Sequence, residues 1–454
     1  MMAMRLSEAA DALHVRHSGA DASFTGVSTD TRTLVAGNLF FALSGPRFDG
    51  HDHLVQAQQR GAAAAVVSRP VVLELPFLQV ADTRLALGDL ARHWRNRFAI
   101  PVVGITGSNG KTTVKEMISA ILAQRGEVLS TRGNLNNDIG VPLTLARLGA
   151  EHQSAVIEMG ANHLGEIAYL SGLVRPTVAI VTNAGPAHLE GFGSLEGVAQ
   201  GKGEVFAALA ANATAVINAD DRFAGLWREL AHGRAQLSFG LEAAADVQAT
   251  YAVHAQGTEV LMHTPQGRVE VLLPLPGRHN VLNALGATAA ALAAGADLAA
   301  VKAGLENLDG VSGRLQRKTR ADGGLVLDDT YNANPGSLRA AIDVLRELPG
   351  ESWLVLGDMG ELGGEAERLH AEIGTYAREA GVSGLYTLGV LSAHAGRAFG
   401  SKAQVFGDLD ALVAALRAQL QPDINLLVKG SRSAGMERVV AALTAATPAG
   451  DFAC

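Results

Sequence analysis

Short apolar runs that end on a polar residue recur along this chain, separated by stretches with helical spacing. Ser154-Ala-Val-Ile-Glu158, Thr177-Val-Ala-Ile-Val-Thr182 and Ala213-Thr-Ala-Val-Ile-Asn218 are three of them. Each predicts a buried strand with a polar residue at its C-terminal edge, and together with the intervening helices they predict a βαβ series on a parallel sheet. Near Thr250 the pattern changes to alternation. Thr258–His263 and Arg268–Leu273 flank Pro265-Gln-Gly267, which predicts a hairpin. Gly277-Arg-His-Asn280 then opens an alanine-rich helix from 281 to about 294, mostly a close-packing element.

A break falls at Gly310-Val-Ser-Gly313, and beyond it the strand–helix alternation resumes. Leu325–Asp329, Trp353–Gly357, Gly384–Leu388 and Asn425–Val428 predict strands of a further doubly wound unit without a glycine-rich loop. At the other end, residues 1 to about 80 mix turns and strands, and 83 to 98 predict a connecting helix. The expected fold is therefore α/β in three domains: 1–82, small and mixed; the helix 83–98; 99–312, a parallel-sheet domain; and 313–454, a Rossmann-like domain.

Within the second domain, Ile100-Pro-Val-Val103 predicts a strand. Val114, Met117, Ile118, Ile121 and Leu122 predict a helix that Gly126 stops. Between them lies Gly104-Ile-Thr-Gly-Ser-Asn-Gly-Lys-Thr-Thr113. Strand, glycine-rich turn and helix form the geometry that holds phosphate, because backbone N–H groups and the helix N-terminus converge on the anion. Gly107, Ser108, Asn109, Gly110, Lys111, Thr112 and Thr113 are thus nucleotide-binding candidates. Lys111 supplies a charge, and the Thr112 hydroxyl suits a phosphate-bound Mg²⁺. The standard pattern has glycine where this chain has Ile105, so the match is to Gly-x-x-Gly-Lys-Thr-Thr rather than to the full motif.

Composition narrows the class. The chain has 454 residues, 48% hydrophobic and 18% charged, as an ordinary globular protein does. No apolar window of about 18 residues lacks a charge, so no membrane span is expected, and the N-terminus has no apolar core of signal-peptide type. A net charge of −8 and a pI near 6.0 offer nucleic acid no general attraction. The single cysteine, Cys454, permits no internal disulfide, which fits a reducing cytoplasm.

Other residues carry chemistry less clearly. Ligands of such sheets sit beyond the strands' carboxyl ends, so Glu158, Asn183 and His188 are expected to face the same cleft as Lys111. A strand-end acid and a loop histidine are each ambiguous alone, but beside a phosphate loop they suggest a nucleotide–metal site. Lys202, between two glycines, reads as surface charge or a weak phosphate contact. Arg314 follows the domain break and suits a γ-phosphate through its planar fork. Asp329-Thr-Tyr-Asn-Ala-Asn-Pro335 is either part of the cleft or a turn with a helix cap. Ser28, Thr29, Thr31 and Arg32 can bind phosphate or sugar, or simply form a polar loop with caps.

Assembled, these stretches resemble the Mur ligases, ATP-dependent amide-forming enzymes of peptidoglycan synthesis. The resemblance is carried by Thr106–Thr113, Gly133-Asn-Leu-Asn-Asn-Asp-Ile-Gly-Val-Pro142, Glu158-Met-Gly-Ala161, Thr182–Glu190 and Lys202-Gly-Glu204. It continues through Gly277-Arg-His-Asn280 with Asn283, Asp329–Pro335, Gly357-Asp-Met-Gly-Glu-Leu-Gly363 and Lys429-Gly-Ser-Arg432, and into the first domain at Asp30-Thr-Arg32 and Asp49-Gly-His51. The tyrosine–asparagine run looks like the member that joins D-alanyl-D-alanine to UDP-N-acetylmuramoyl-tripeptide.

The resemblance implies a UDP-binding first domain, a central ATPase and a third domain that brings the amine; nothing in the sequence demands more than a monomer. It implies ATP and two Mg²⁺, with Thr112 and Glu158 at one ion and His188 and a carbamylated Lys202 at the other. By the same resemblance Asn283 meets adenine, Arg314 and Asp329 close the site, and Lys111, Glu158, His188, Lys202, Arg314 and Asp329 form the catalytic set. Ser28, Thr29, Thr31, Arg32 and Asn137 would face the UDP-substrate, and Tyr331 and Asn332 the dipeptide. Another Mur-family or folylpolyglutamate-type amide ligase, and a nucleotide-binding module without catalysis, are the alternatives.

Overall fold

The computed structural model describes residues 1–186, 189–254, 257–308, 310 and 312–444. Three sheets organise it. The first has five short strands in the order His17–Ser18, Phe77–Gln79, Ala64–Val67, Leu39–Phe41 and Val27–Ser28. The helix Thr83–Arg95 leads out of it. Its start is fixed by Asp82, whose carboxylate accepts the N–H groups of Arg84 and Leu85. Leu87, Leu90, Ala91 and Trp94 on its inner face join a core that runs without a break into the second domain.

In that domain six parallel strands lie in the order Val128–Ser130, Ser154–Glu158, Val102–Thr106, Val178–Val181, Thr214–Asn218 and Ala235–Phe239. Alternate residues serve opposite faces, so both faces are apolar and the strands read as continuous hydrophobic runs. Val103, Ile105, Val156 and Ile180 pack under the helices Lys111–Ala123 and Arg278–Ala293. Val102, Ile157, Ala179 and Val181 pack on the other side against Thr83–Arg95 and Leu195–Ala207. Each such buried aliphatic side chain contributes about 1.5–3 kcal/mol. The predicted hairpin forms as Gly257–Thr264 and Gly267–Leu273, with a third strand, Gln248–His254, added at its edge.

The third domain repeats the architecture with a difference. Its strand order is Gln316–Thr319, Leu325–Asp329, Ile424–Lys429, Glu351–Gly357, Gly384–Leu388 and Ala403–Phe406, the first pair antiparallel and the rest parallel. Leu327, Leu354, Leu356 and Leu427 face one helical layer, while Val326, Val355, Leu426 and Val428 face the other. In the second and third domains the strands that hydrophobic pattern did not predict, including Val128–Ser130, Ala235–Phe239, Gln316–Thr319 and Ala403–Phe406, lie at sheet edges. They are short and partly polar, so they carry no apolar run to read. Among the described residues no helix is long and apolar enough to cross a membrane.

Candidate active site

The carboxyl ends of the second domain's strands open on a cleft of about 1530 Å³, whose opposite wall belongs to the third domain. The glycine-rich turn forms its floor. Gly107 has φ +140° and Gly110 φ +81°, and the helix Lys111–Ala123 begins immediately after. Both glycines are required by space as well as by conformation. A Cβ at Gly107 would lie 2.0 Å from the Thr182 hydroxyl, and one at Gly110 2.6 Å from Asn283 Oδ1.

The turn is braced from behind. Asn183 Oδ1 accepts the Asn109 N–H at 3.0 Å and its amide donates to Asn109 O at 3.1 Å, while Thr182 donates to the same carbonyl at 2.6 Å. Asn183, expected to face the cleft, does not line it, because both ends of its amide are spent on this clamp. Lys111 Nζ donates to Gly107 O at 2.7 Å and Ser108 O at 3.3 Å. Enclosure lowers the pKa of this ammonium, Glu158 raises it, and Arg314 lowers it further.

Glu158, 2% exposed, ends its strand beside the turn. Its Oε2 accepts the Thr112 hydroxyl at 3.0 Å, its Oε1 accepts the Asn136 amide at 2.9 Å, and its own N–H donates to Thr131 Oγ1. Lys115 in turn donates to Thr131 O at 2.7 Å. Two hard oxygens, Thr112 Oγ1 and Glu158 Oε2, thus stand side by side at the end of a phosphate-binding turn. That donor set fits Mg²⁺, which takes few protein oxygens and completes its shell with phosphate and water. Among the described residues no group of three or more His, Cys, Asp or Glu could hold a metal. His188 lies outside the described residues.

Lys202 is not surface charge. It is 1% exposed, donates to Ala161 O at 2.9 Å and sits 4.9 Å from the centre of the Phe192 ring, with the cleft within its reach. Burial, followed by repulsion from Lys111, brings its pKa down to about 7.

From the third domain, Arg314 reaches the turn. Its NH2 lies 3.4 Å from Thr112 Oγ1, and its guanidinium stacks 4.2 Å from the centre of the Tyr331 ring. Its Nε is buried and finds no hydrogen-bond partner among the described residues. A buried unpaired donor beside a phosphate turn matches an anionic ligand. Asp329 does not line the cleft. One of its oxygens accepts the Leu315 N–H at 3.2 Å and the other the Lys429 ammonium, so it anchors the residue next to Arg314. A further tie joins the domains: Asn334 Nδ2 donates to Asn109 Oδ1 at 2.6 Å.

The remaining candidates separate. Ser108, Asn109, Gly110, Lys111, Thr112, Asn137, Tyr331 and Asn332 line the cleft, whereas Gly107, Thr113 and Asn283 do not. Asn137 Oδ1 also caps the helix Gly140–Leu145 by accepting the Gly140 N–H at 2.8 Å. Ser28, Thr29, Thr31 and Arg32 stand apart in the first domain. Thr31 donates to Gln56 Oε1 at 2.7 Å, Ser28 to Asp30 O at 3.0 Å, and exposed Arg32 pairs with Asp30. Sequence reasoning assigned no role to Asn136, Lys115 or Lys429, and it read Asn334 only within a run that is either part of the cleft or a turn with a helix cap; Asn334 does cap the helix Pro335–Arg346. Of the first three only Lys429 carries a signal, a charge that closes the apolar strand Ile424–Lys429.

The fold and this cleft define an ATP-using ligase, and comparison with known proteins agrees: the chain belongs to the Mur ligase family. Residues 105–291 match the family model of the Mur ligase middle domain, 313–432 that of the Mur ligase glutamate ligase domain, and 23–95 that of the Mur ligase family catalytic domain. The UDP-N-acetylmuramoyl-tripeptide–D-alanyl-D-alanine ligase of Escherichia coli K12 is 50% identical, over 98% of this chain and 99% of that one. Its namesake from Haemophilus influenzae is 44% identical over 92% and 93%. A crystal structure of MurF from Acinetobacter baumannii superposes with a TM-score of 0.92 at 38% identity, covering 98% and 99%. MurF from Thermotoga maritima in complex with ADP gives 0.82 at 29% identity, covering 92% and 97%.

Proposed function

We propose that this protein joins D-alanyl-D-alanine to the terminal carboxylate of UDP-N-acetylmuramoyl-tripeptide, converting ATP to ADP and phosphate, in the cytoplasmic synthesis of peptidoglycan precursors. The observation that carries the reading is the meeting, in one cleft, of Lys111 and Thr112 with Glu158 and with Arg314 of the third domain. The relatives that span nearly the whole chain are named for the same reaction.

A carboxylate is a poor electrophile at neutral pH. One of its oxygens attacks the γ-phosphorus of ATP, the bond to the ADP oxygen breaks, and an acyl phosphate results. The dipeptide amine then adds to the acyl carbon, and the tetrahedral intermediate expels phosphate and a proton to leave the amide. Lys111, the turn's N–H groups and Arg314 hold the phosphates and offset the charge that spreads over the transferred group. Asp329 and Lys429 keep Arg314's segment in place, and Asn334 on Asn109 keeps the two domains closed over the acyl phosphate, excluding water.

Thr112 and Glu158 would hold one Mg²⁺, and Lys202 as a carbamate with His188 a second, adding positive charge at the phosphates. A lysine with a pKa near 7 is about half uncharged at neutral pH, against almost none at its ordinary value of 10.5, and the uncharged amine is the form that adds CO₂. In the same reading Asn283 meets adenine, Ser28, Thr29, Thr31, Arg32 and Asn137 face the UDP-substrate, Tyr331 and Asn332 face the dipeptide, and the enzyme works as a monomer. The units 1–82, 83–98, 99–312 and 313–454 divide this work.

The test is ligation with purified UDP-tripeptide, ATP and magnesium against a panel of amines. A product heavier by D-alanyl-D-alanine less water, formed with stoichiometric phosphate, is expected. Phosphate release with glutamate or a free diamino acid instead, or nucleotide binding without a new amide, would overturn the reading.

A further inference from the structure

A second cavity, about 370 Å³, lies in the third domain beside the cleft. Ser312, Tyr331 and Arg432 line both, so the smaller space is a side pocket of the larger. Its inner wall carries Lys318 and Asp328, and the helix Glu437–Thr444 contributes Val440 and Ala441. The two cations differ in what they have left to give. Lys318 is already paired with buried Asp328 at 2.7 Å. Among the described residues Arg432 makes only a loose pair with Glu437, at 3.7 Å, and its side chain is 69% exposed. Its guanidinium therefore keeps donors for a ligand, and its planar fork suits a carboxylate.

The pocket's place relative to the reacting groups is also defined. The Tyr331 ring is a wall of the side pocket, and Arg314 stacks on that ring while reaching to Thr112. Tyr331 thus touches the side pocket and, through Arg314, the phosphate turn. Because Tyr331 and Arg432 line both spaces, a dipeptide whose carboxylate sits at Arg432 can direct its amine past Tyr331 into the cleft lined by Lys111 and Arg314.

We propose that this side pocket is the subsite for the carboxylate end of the incoming dipeptide and that Arg432 is its specificity-determining residue. Val440 and Ala441 supply an apolar surface for small side chains. The inference rests on the ligation reading above and goes beyond it by assigning the recognition of the free carboxylate.

The experiment compares D-alanyl-D-alanine with D-alanyl-D-alaninamide, which lacks the negative charge, in the wild type and in Arg432→Met, at saturating UDP-tripeptide and ATP. In the wild type the amide should show a KM about 10- to 100-fold above that of the acid, the range for a lost charged hydrogen-bonding pair. Arg432→Met should raise the KM of the acid by a similar factor and abolish the difference between acid and amide, leaving the KM values for UDP-tripeptide and ATP unchanged. Arg432→Lys should recover part of the discrimination, as a point charge without the fork. Wild type that ligates acid and amide equally well, or a variant whose altered KM is that of the UDP-tripeptide, overturns the subsite alone. Wild type that forms no product from the dipeptide overturns the ligation reading and the subsite with it.

Discussion

The second and third domains each present a six-stranded, mostly parallel sheet to the cleft, yet they equip it in opposite ways. In the second, the strand Val102–Thr106 runs into a glycine turn that offers its backbone to the cleft, with Lys111 folded over it. In the third, the strand Leu325–Asp329 runs into side chains. Asp329 and Lys429 pair beneath the surface, and the asparagine cap of the helix Pro335–Arg346 reaches over to Asn109. A backbone cradle is fixed by local conformation and tolerates no Cβ. A side-chain platform is adjustable, which suits the proposed role of the third domain in bringing the second substrate. One fold thus serves as holder in one copy and as presenter in the other.

The largest effect expected of this contrast falls on the holder. Lys111→Ala should lower turnover by roughly 10²- to 10³-fold, as the loss of one preorganised electrostatic contact does. Near-normal turnover in a steady-state phosphate-release assay would place the anion elsewhere.

Gly107→Ala should cost about 10²-fold through displacement of the turn, since the new methyl would meet the Thr182 hydroxyl at 2.0 Å and the Thr182 N at 3.0 Å. Full activity would show that the turn yields as easily as the third domain's loops do.

Lys202 sharpens the contrast through stability. Its pKa is about 7 in the folded protein against an ordinary value of 10.5. Below about pH 7 it is charged in both folded and unfolded states, and the cost of burying that charge is present in full. Between 7 and 10.5 only the unfolded chain holds the proton, so the cost fades as pH rises. Lys202→Met should therefore stabilise the fold at pH 6, by about 1–3 kcal/mol after the loss of its hydrogen bond, and the gain should vanish toward pH 10.5. Urea unfolding of both proteins at several pH values in CO₂-free buffer, which keeps Lys202 an unmodified amine, measures it, and a gain that grew with pH would contradict the buried ammonium.

Gly360→Ala is the smallest effect. This third-domain glycine also lines the cleft, but a Cβ there would meet Ser431 only at 3.7 Å, an ordinary contact. Stability should shift by no more than about 0.5 kcal/mol, and turnover should hold. A loss comparable to that of Gly107→Ala would erase the distinction between cradle and platform.

The sequence by itself determined the parts whose causes are local. Continuous apolar runs marked strands such as Ser154–Glu158 and Gly384–Leu388 to the residue, because a strand buried on both faces has no polar position to spare. The glycine turn was legible for a similar reason, since positive φ admits few other residues. Short edge strands such as Gln316–Thr319 were not, having no buried run of their own.

Tertiary structure decided what depended on neighbours far along the chain. Lys202 reads as surface charge until the Ala161 carbonyl and the Phe192 ring close around it. Asp329 reads as a residue facing the cleft until Lys429, 100 positions away, takes its carboxylate. Arg314 meets Thr112 across 202 positions and Asn334 meets Asn109 across 225. Spacing along the chain carries no record of such meetings. Desolvation and pairing, which set the charge and the availability of each group, exist only once the sheets have brought the partners together.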